Sequence, residues 1–413
     1  MLPNFEANLQ KYAELIVTVG LNLQPQQRLL ILAPLPAAPL VQQVATCSYQ
    51  TGARLVEVFY IDEQLLLTRF QLAPRDSFAD EIRWPWDVAY QYAQQGDAVL
   101  QLLGTDPDLL KGQDPALVQT YNVARSKALQ PYGLEVSRNA LNWLIAAYAT
   151  ASWAAKVFPK LPVDQREDRL WQAIFDICRV TQPDPLAAWQ QHLQHLAQRR
   201  AHLTQKQYSA LHYTAPGTDL TVGLPPGHRW MGGAVQSTRG LTFMPNLPTE
   251  EIFTVPHKEQ INGAVTASKP LSYSGVLIED FSLTFDAGRV VAVKAGAGEA
   301  VLRNLIATDE GAASLGEVAL VPHSSPISQS GLLFFNTLFD ENAACHLALG
   351  RGLRFCLPHG ATLSAEELSA QGLNHSLIHV DFMVGSNQFN IDGITPDGRR
   401  EPVLRGGEWA VTL

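Results

Sequence analysis

Cysteine is scarce in this sequence, which contains 413 residues and four cysteines, Cys47, Cys178, Cys345 and Cys356. None of them forms a Cys-x-x-Cys pair, so neither a zinc ribbon nor a disulfide framework is indicated. Each lies in an apolar or mixed context, which favours buried free thiols in a reducing compartment. We therefore expect a cytoplasmic protein.

Positive charge is also in short supply. The chain has 30 lysines and arginines against 39 aspartates and glutamates, a formal net charge of −9 at pH 7. Nucleic-acid binding depends on clustered Lys and Arg side chains that contact phosphates. We therefore expect no nucleic-acid partner.

Long apolar runs are missing as well. The most apolar stretch, residues 141–155, is shorter than a bilayer requires and is interrupted by Asn142 and Ser152. The amino-terminal segment carries Glu6 and has no basic run before an apolar stretch. It predicts an amphipathic helix rather than a signal peptide, and we expect no membrane partner.

Three well-known catalytic or binding signatures are absent too. The segment after the first apolar run, residues 34–36, contains no glycine, and the chain has no GxxxxGK phosphate loop. Nucleotide binding is therefore unsupported. The sequence also contains neither a GxSxG nucleophile elbow nor an HExxH motif.

The first half of the chain alternates between short apolar runs and helical patterns. Buried strands are predicted at residues 28–33, 55–61, 98–103 and 141–148, with helices at residues 40–49 and 117–129. Strand–helix–strand order is typical of an α/β layer with a parallel sheet, because parallel neighbours need crossover connections.

The pattern of apolar and polar residues changes after residues 164–206, a region with strong helical periodicity. Residues 213–224, 275–285 and 289–294 alternate in polarity and are punctuated by Gly and Pro, which predicts antiparallel β structure. We therefore predict an N-terminal α/β domain with a mostly parallel sheet over residues 1–205. A β-rich α+β domain follows over residues 206–413.

Histidines require explanation in both parts of the chain. His192, His195 and His202 share one face of a predicted helix. A metal stripe is conceivable there, but a solvated helix face is the preferred interpretation. Seven of the 11 histidines lie between residues 228 and 379, and several stand close to carboxylates.

The clearest such case is the apolar run 378–383. On a strand, positions i and i+2 point to one face, so His379 and Asp381 project together. An imidazole beside a carboxylate suits a borderline divalent cation. A hydrogen bond within the pair explains it equally well.

Two further polar residues lie inside apolar segments. Residues 344–348 predict a helix of small residues that contains His346, for which a core histidine is the simpler interpretation. Glu317 stands at the head of an apolar strand. Its burial without a partner would be costly, so a cation or an arginine is required beside it.

Adjacent carboxylates, Glu250 and Glu251, precede another apolar run, and the ordinary interpretation of Thr249 and Glu250 is a solvated turn. Taken together, these segments supply three carboxylates and two imidazoles. That set is sufficient for two metal ions that share a bridging ligand. Mixed oxygen and nitrogen ligation without cysteine suits zinc, cobalt or manganese.

Four blocks of this sequence resemble the signature blocks of the thermophilic aminopeptidase T and aminopeptidase S family. They are NLPTEEIFT (246–254), LGEVALV (315–321), NTLFDENAACHLALG (336–350) and SLIHVDFMVG (376–385). Their order and the upstream helix–strand pattern are also similar, so the resemblance covers essentially the whole chain. It implies a cytoplasmic aminopeptidase that acts on peptides, forms a homodimer and uses two divalent ions (zinc, cobalt, manganese or magnesium).

The resemblance also implies a set of site residues within the domain of residues 206–413. The family's metal ligands fall here on Glu251, Glu317, His346, His379 and Asp381. Of the two adjacent glutamates, the match selects Glu251 rather than Glu250. Glu317 is in addition the candidate for proton transfer.

One position departs from the family pattern. Members carry a tyrosine seven residues after the histidine of the third block, and here that position is Leu353. This departure keeps open a metal-binding pseudo-peptidase or binding protein with weak or lost turnover. A non-metal α/β enzyme, with the Glu and His residues in structural ion pairs, is a further alternative.

Overall fold

The computed structural model describes residues 2–273, 276–360 and 362–411. The chain forms two compact units, and each consists of two chain segments. The first unit comprises Met1–His192 and Ala234–Pro248, and the second comprises Leu193–Gly233 and Thr249–Leu413.

The described residues form helices and strands throughout. The α-helices are α1 (Phe5–Leu15), α2 (Ala38–Gln50), α3 (Glu63–Leu72), α4 (Trp84–Gln95), α5 (Pro115–Ser137), α6 (Ala151–Val157), α7 (Val163–Ile177), α8 (Pro185–Lys206), α9 (Glu299–Ile306), α10 (Pro326–Ser330), α11 (Thr337–Asp340) and α12 (Ala365–Ala370). The strands are β1 (Arg28–Pro34), β2 (Leu55–Ile61), β3 (Ala98–Leu103), β4 (Trp143–Ala147), β5 (Ala210–Ala215), β6 (Thr218–Gly223), β7 (Val235–Gln236), β8 (Thr242–Phe243), β9 (Asn246–Leu247), β10 (Ile252–Thr254), β11 (Ile261–Thr266), β12 (Leu271–Tyr273), β13 (Val276–Ile278), β14 (Ser282–Asp286), β15 (Arg289–Lys294), β16 (Leu315–Leu320), β17 (His346–Gly350), β18 (His379–Met383), β19 (Asn390–Ile394), β20 (Arg400–Arg405) and β21 (Glu408–Trp409). Within the described ranges, none of the helices combines the length and the apolar character needed to cross a membrane.

A parallel sheet with the strand order β2-β1-β3-β4-β9 organises the first unit. Leu29 of β1 pairs in parallel with Val56 on one side and with Ala98 on the other. Strand β1 is buried over six of its seven residues, as expected for a strand covered on both faces. The predicted parallel α/β layer is confirmed.

Local chemistry sets the ends of the connecting helices. The Asp62 and Asp114 side chains accept hydrogen bonds from the backbone N–H groups of Gln64 and Ala116, which caps α3 and α5. Helix α4 ends at Gly96, whose φ of 71° is a left-handed conformation that glycine adopts at little cost. The chain can therefore reverse into β3 within two residues.

Two antiparallel sheets organise the second unit. One has the order β15-β14-β11-β6-β5-β19-β20-β21, and the other has the order β10-β16-β17-β18. The alternating segment 213–224 falls on the β5–β6 hairpin, and the segment 289–294 is strand β15. The predicted β-rich character of this part of the chain is confirmed.

Alternation along the four-stranded sheet separates a core face from a polar face. Val318, Leu347 and Phe382 belong to an apolar cluster that also contains Leu220 and Ile391 of the larger sheet. Successive side chains of a strand point to opposite faces. The residues that precede these three, on β16, β17 and β18, therefore face away from that cluster.

The helix predicted at residues 344–348 is wrong, because residues His346–Gly350 form strand β17. All five residues of this strand are buried, and it lies between β16 and β18. A strand covered on every side shows no period-two polarity. Its small apolar residues therefore resemble a buried helix when they are read from the sequence.

Candidate metal centre

The four-stranded sheet brings the predicted ligands to one face. Glu317 on β16 pairs with Ala348 on β17, and Ala348 pairs with Asp381 on β18. His346 lies two residues before Ala348, and His379 lies two residues before Asp381. Side chains two positions apart on a strand share a face, so these four polar side chains project together.

Glu251 reaches the same face from the residue before β10. Phe253 pairs with Ala319 on β16, and Ala319 has the same orientation as Glu317. Glu251 lies two residues before Phe253, so alternation directs it towards Glu317. Its side chain is buried, with 7% of the residue exposed.

The distances divide these residues into two overlapping groups. His346 Nε2 lies 3.2 Å from Glu251 Oε2 and 3.9 Å from Glu317 Oε1. His379 Nε2 lies 3.1 Å from Glu317 Oε2 and 3.4 Å from Asp381 Oδ1. In each group of three, one potential ligand atom per residue lies within 4.8 Å of the others. Glu317 belongs to both groups.

Backbone carbonyls orient both imidazoles. His346 Nδ1 lies 3.2 Å from the Ala344 carbonyl oxygen, and His379 Nδ1 lies 2.7 Å from the Arg351 carbonyl oxygen. Because a carbonyl oxygen only accepts, each Nδ1–H donates. Each Nε2 is thereby directed at the carboxylates, which is the arrangement that metal-ligating histidines adopt.

Burial and crowded negative charge shift the pKa values of these groups. Burial raises the pKa of Glu317 to about 7. Burial by itself lowers the pKa of His346, but its interaction with Glu251 and the nearby charges raise that pKa to about 10. His379 responds in the same way to Asp381 and Glu317, and its pKa rises to about 11. The cluster therefore favours positive charge at its centre.

Two buried carboxylate oxygen atoms indicate whether the residues of this cluster fit a metal ion. Glu251 Oε2 and Asp381 Oδ1 have no hydrogen-bond partner among the described residues. His346 Nε2 lies 3.2 Å from the first of these atoms, and His379 Nε2 lies 3.4 Å from the second. Buried polar atoms are normally paired, and carboxylate oxygens with imidazole nitrogens are donors that divalent cations accept. The residues present fit a divalent metal.

The solvated turn predicted for Thr249 and Glu250 is wrong. Thr249 and Glu250 are 4% and 3% exposed, respectively. The backbone N–H of Glu250 donates to Asn342 Oδ1 at 2.8 Å, and Asn342 is itself buried. Asn342, the hydrogen-bond partner of this turn, lies in a distant part of the chain. No local sequence pattern therefore reveals the contact.

Glu341 is a further carboxylate of this region that the sequence reasoning missed. Burial raises its pKa well above the usual value, and the negative charges of Glu251, Asp381 and Glu317 raise it further. Glu341 lies five residues before His346, in the same family-like block. The sequence signal that could have identified Glu341 is an acidic residue between the apolar segments of that block.

The α8 histidines and position 353 have different surroundings. His195 is exposed, and the His192 ring packs against Trp189 with centroids 5.3 Å apart. Leu353 is partly buried and packs against an apolar cluster that includes Cys356 and Leu373. The Leu353 side chain therefore supplies hydrophobic contact and has no hydrogen-bond donor.

A buried face with two overlapping sets of carboxylates and imidazoles is typical of a divalent-metal hydrolase. The sequence matches the thermophilic metalloprotease (M29) family over residues 5–409, and the chain belongs to this family. The predicted family resemblance is confirmed. The protein is a metal-dependent hydrolase of peptide bonds.

Similar proteins match over nearly their whole length. Aminopeptidase 2 of Geobacillus stearothermophilus is 48% identical over 99% of both chains. Aminopeptidase T of Thermus thermophilus is 43% identical over 98% of this chain and 99% of its own. The solved structure of wild-type AmpT from Thermus thermophilus superimposes with a TM-score of 0.94, covering 98% of this chain and 100% of that one.

Proposed function

We propose that this protein is a metal-dependent aminopeptidase that removes the N-terminal residue of peptides by means of two divalent ions. Glu251, Glu317 and His346 would hold one ion, and Glu317, His379 and Asp381 would hold the other. The observation that carries the proposal is the membership of Glu317 in both ligand groups. Such sharing is what a paired site with a bridging carboxylate requires.

When bound, the ions would supply Lewis acidity that polarises the scissile carbonyl and acidifies the attacking water. Glu317 is the carboxylate common to both positions. We assign it the transfer of a proton from the attacking water to the departing amine. Glu341, buried beside the cluster, is a second group able to hold a proton there.

The comparisons with known proteins support an N-terminal substrate amine. The relatives described above carry the name aminopeptidase. The three ligand carboxylates lie in the second unit, with Glu341 buried beside them. We propose the domain of residues 206–413 as the catalytic domain for this reason.

The metal identity, assembly and location are proposals as well. Oxygen and nitrogen donors suit zinc, cobalt, manganese or magnesium. The edge strand β2 exposes Val58, Tyr60 and Ile61 at 36%, 37% and 41%, and an exposed apolar edge favours pairing with a second copy in a homodimer. Four free cysteines, three of them buried, are compatible with the cytoplasm.

The proposal predicts that hydrolysis requires a free N-terminus. With zinc, cobalt or manganese supplied separately, the protein should release leucine from Leu-p-nitroanilide and from leucyl peptides. N-acetylated versions of the same substrates should be inert, because acetylation removes the amine charge. Liquid chromatography of the products and metal analysis of the protein provide the readout. Equal cleavage of the acetylated peptides would contradict exopeptidase action.

Leu353→Tyr is expected to raise kcat on Leu-p-nitroanilide with little change in KM. A phenol at this position could donate a hydrogen bond to the developing oxyanion, and such a donor is typically worth about 10²–10³ in rate. Leu353→Phe is the matched control, since it adds the ring without the hydroxyl group. Equal rates for both variants and the wild type would show that position 353 carries no chemistry.

A further inference from the structure

A cavity of about 270 Å³ lies beside the proposed metal centre, and His379 and Asp381 form part of its wall. The segments 269–273 and 335–337 line it as well. Its volume is slightly below the range of about 300–1,000 Å³ that is usual for drug-sized ligands. The space therefore suits a fragment about the size of one amino-acid residue.

Lys269 is a cationic side chain in this wall that belongs to neither ligand group. It is partly buried, and burial lowers its pKa. Within the described residues, no hydrogen bond and no ion pair shorter than 4.0 Å involves its ammonium. A partly buried ammonium retains three donors that need acceptors. Lys269 is thus able to bind a ligand.

Asp340 is an acid in the wall of this cavity, and its carboxylate oxygens accept backbone hydrogen bonds. Asp340 interacts with Lys269 electrostatically. However, its Oδ1 accepts a hydrogen bond from the Phe334 N–H at 2.7 Å, and its Oδ2 accepts one from the Asn336 N–H at 3.0 Å. Asp340 therefore holds the backbone of the cavity wall, and the Lys269 ammonium can still donate hydrogen bonds to an anionic ligand.

The positive charge of Lys269 favours one orientation of a bound dipeptide at the metal centre. The Lys269 ammonium repels an α-ammonium group and attracts a carboxylate. In a dipeptide, the free carboxylate lies on the residue that follows the scissile bond, at the opposite end from the amine. A cavity with room for one residue and a cation in its wall matches that leaving residue.

We propose that Lys269 forms a carboxylate-binding subsite that holds the free α-carboxylate of the leaving residue, so that the protein favours dipeptides. The inference rests on the proposed aminopeptidase function and specifies its substrate class. Lys269 contacts the leaving group of the substrate and determines specificity. It takes no part in the proton transfer.

The test compares Leu-Leu with Leu-Leu-amide and with Leu-p-nitroanilide, which lacks a carboxylate. In the metal-loaded wild type, kcat/KM for Leu-Leu should exceed that for the amide by about 10-fold or more, because hydrogen bonds to a charged group contribute about 1.5–3 kcal/mol. Lys269→Met should abolish this preference, mainly through a higher KM for Leu-Leu, whereas kcat/KM for Leu-Leu-amide should change much less. Lys269→Arg should retain part of it.

Lys258→Met is the matched control, because the Lys258 ammonium donates to Ser369 Oγ at 2.6 Å outside this cavity. It should keep the dipeptide preference. Calorimetric titration with a reduced-bond analogue of Leu-Leu, as acid and as amide, measures the same preference without turnover. In this measurement too, Lys269→Met should remove the difference in Kd between the acid and the amide forms of the analogue.

The outcomes separate this inference from the proposed function. Equal kcat/KM for the acid and the amide, with equal analogue binding, overturns the subsite. Glu-p-nitroanilide turnover that exceeds that of Leu-p-nitroanilide and depends on Lys269 also overturns it, since a substrate side chain would then occupy the cavity. A metal-loaded wild type that cleaves none of these substrates contradicts the aminopeptidase function, and analogue binding still decides the subsite.

Discussion

Glu317→Gln is expected to lower kcat/KM on Leu-p-nitroanilide by about 10²–10⁴-fold, the usual contribution of a positioned acid–base group. Glutamine has nearly the same size and shape but carries no charge and accepts no proton. Because Glu317 belongs to both ligand groups, its replacement should also reduce the metal content at both positions. Enzyme kinetics and inductively coupled plasma mass spectrometry on the same preparation measure the two effects.

Glu310→Gln is the control for this experiment. It makes the same chemical change on a side chain that is 93% exposed, and it should leave activity and metal content unaltered. Full metal occupancy with lost activity in Glu317→Gln would assign proton transfer alone to Glu317. Retention of both properties would remove Glu317 from the centre.

Removal of metal is expected to abolish activity and to lower the melting temperature. Without a cation, the buried carboxylates of Glu251, Glu317 and Asp381 repel one another, and two of their oxygens lack hydrogen-bond partners among the described residues. An ion that binds only the folded state contributes about 2.7 kcal/mol per site at a free concentration of about 100 times its Kd. Calorimetry before and after EDTA treatment measures the loss.

Readdition of a single metal after EDTA treatment identifies the ion that restores both activity and melting temperature. The Glu317→Gln variant serves as an internal control, because a protein that holds less metal should show a smaller decrease with EDTA. Activity and melting temperature that are unchanged in the fully demetallated wild type would contradict the metal-dependent mechanism. They would favour ion pairs as the role of these residues.

Much of the fold could be predicted from local patterns. Strands β2 and β3 coincide with the predicted runs at residues 55–61 and 98–103. Strand β3 is largely buried and forms a continuous apolar run, whereas the exposed edge strand β2 is recognisable by its β-branched and aromatic residues. The pair His379 and Asp381 could also be placed on one face, because two residues on one strand obey a period of two whatever surrounds them.

Other features could not be read in this way. Strand β17 resembles a helix in the sequence, because both of its faces are covered and its polarity does not alternate. Glu250 resembles a surface residue, because Asn342, which binds its backbone, lies far along the chain. Glu341 attracts attention only once its burial beside Glu251 and Asp381 is known.

The sequence by itself determined the chemical inventory of the centre, three carboxylates and two imidazoles without a thiolate, and the α/β and β-rich character of the two parts. Residue type and short periodicity suffice for both. Only the tertiary structure decided that Glu317 lies between His346 and His379, and that Lys269 shares a cavity with two of the proposed ligands. Those relations depend on strand pairing and burial between segments that are distant in the chain, and local sequence does not encode such pairings.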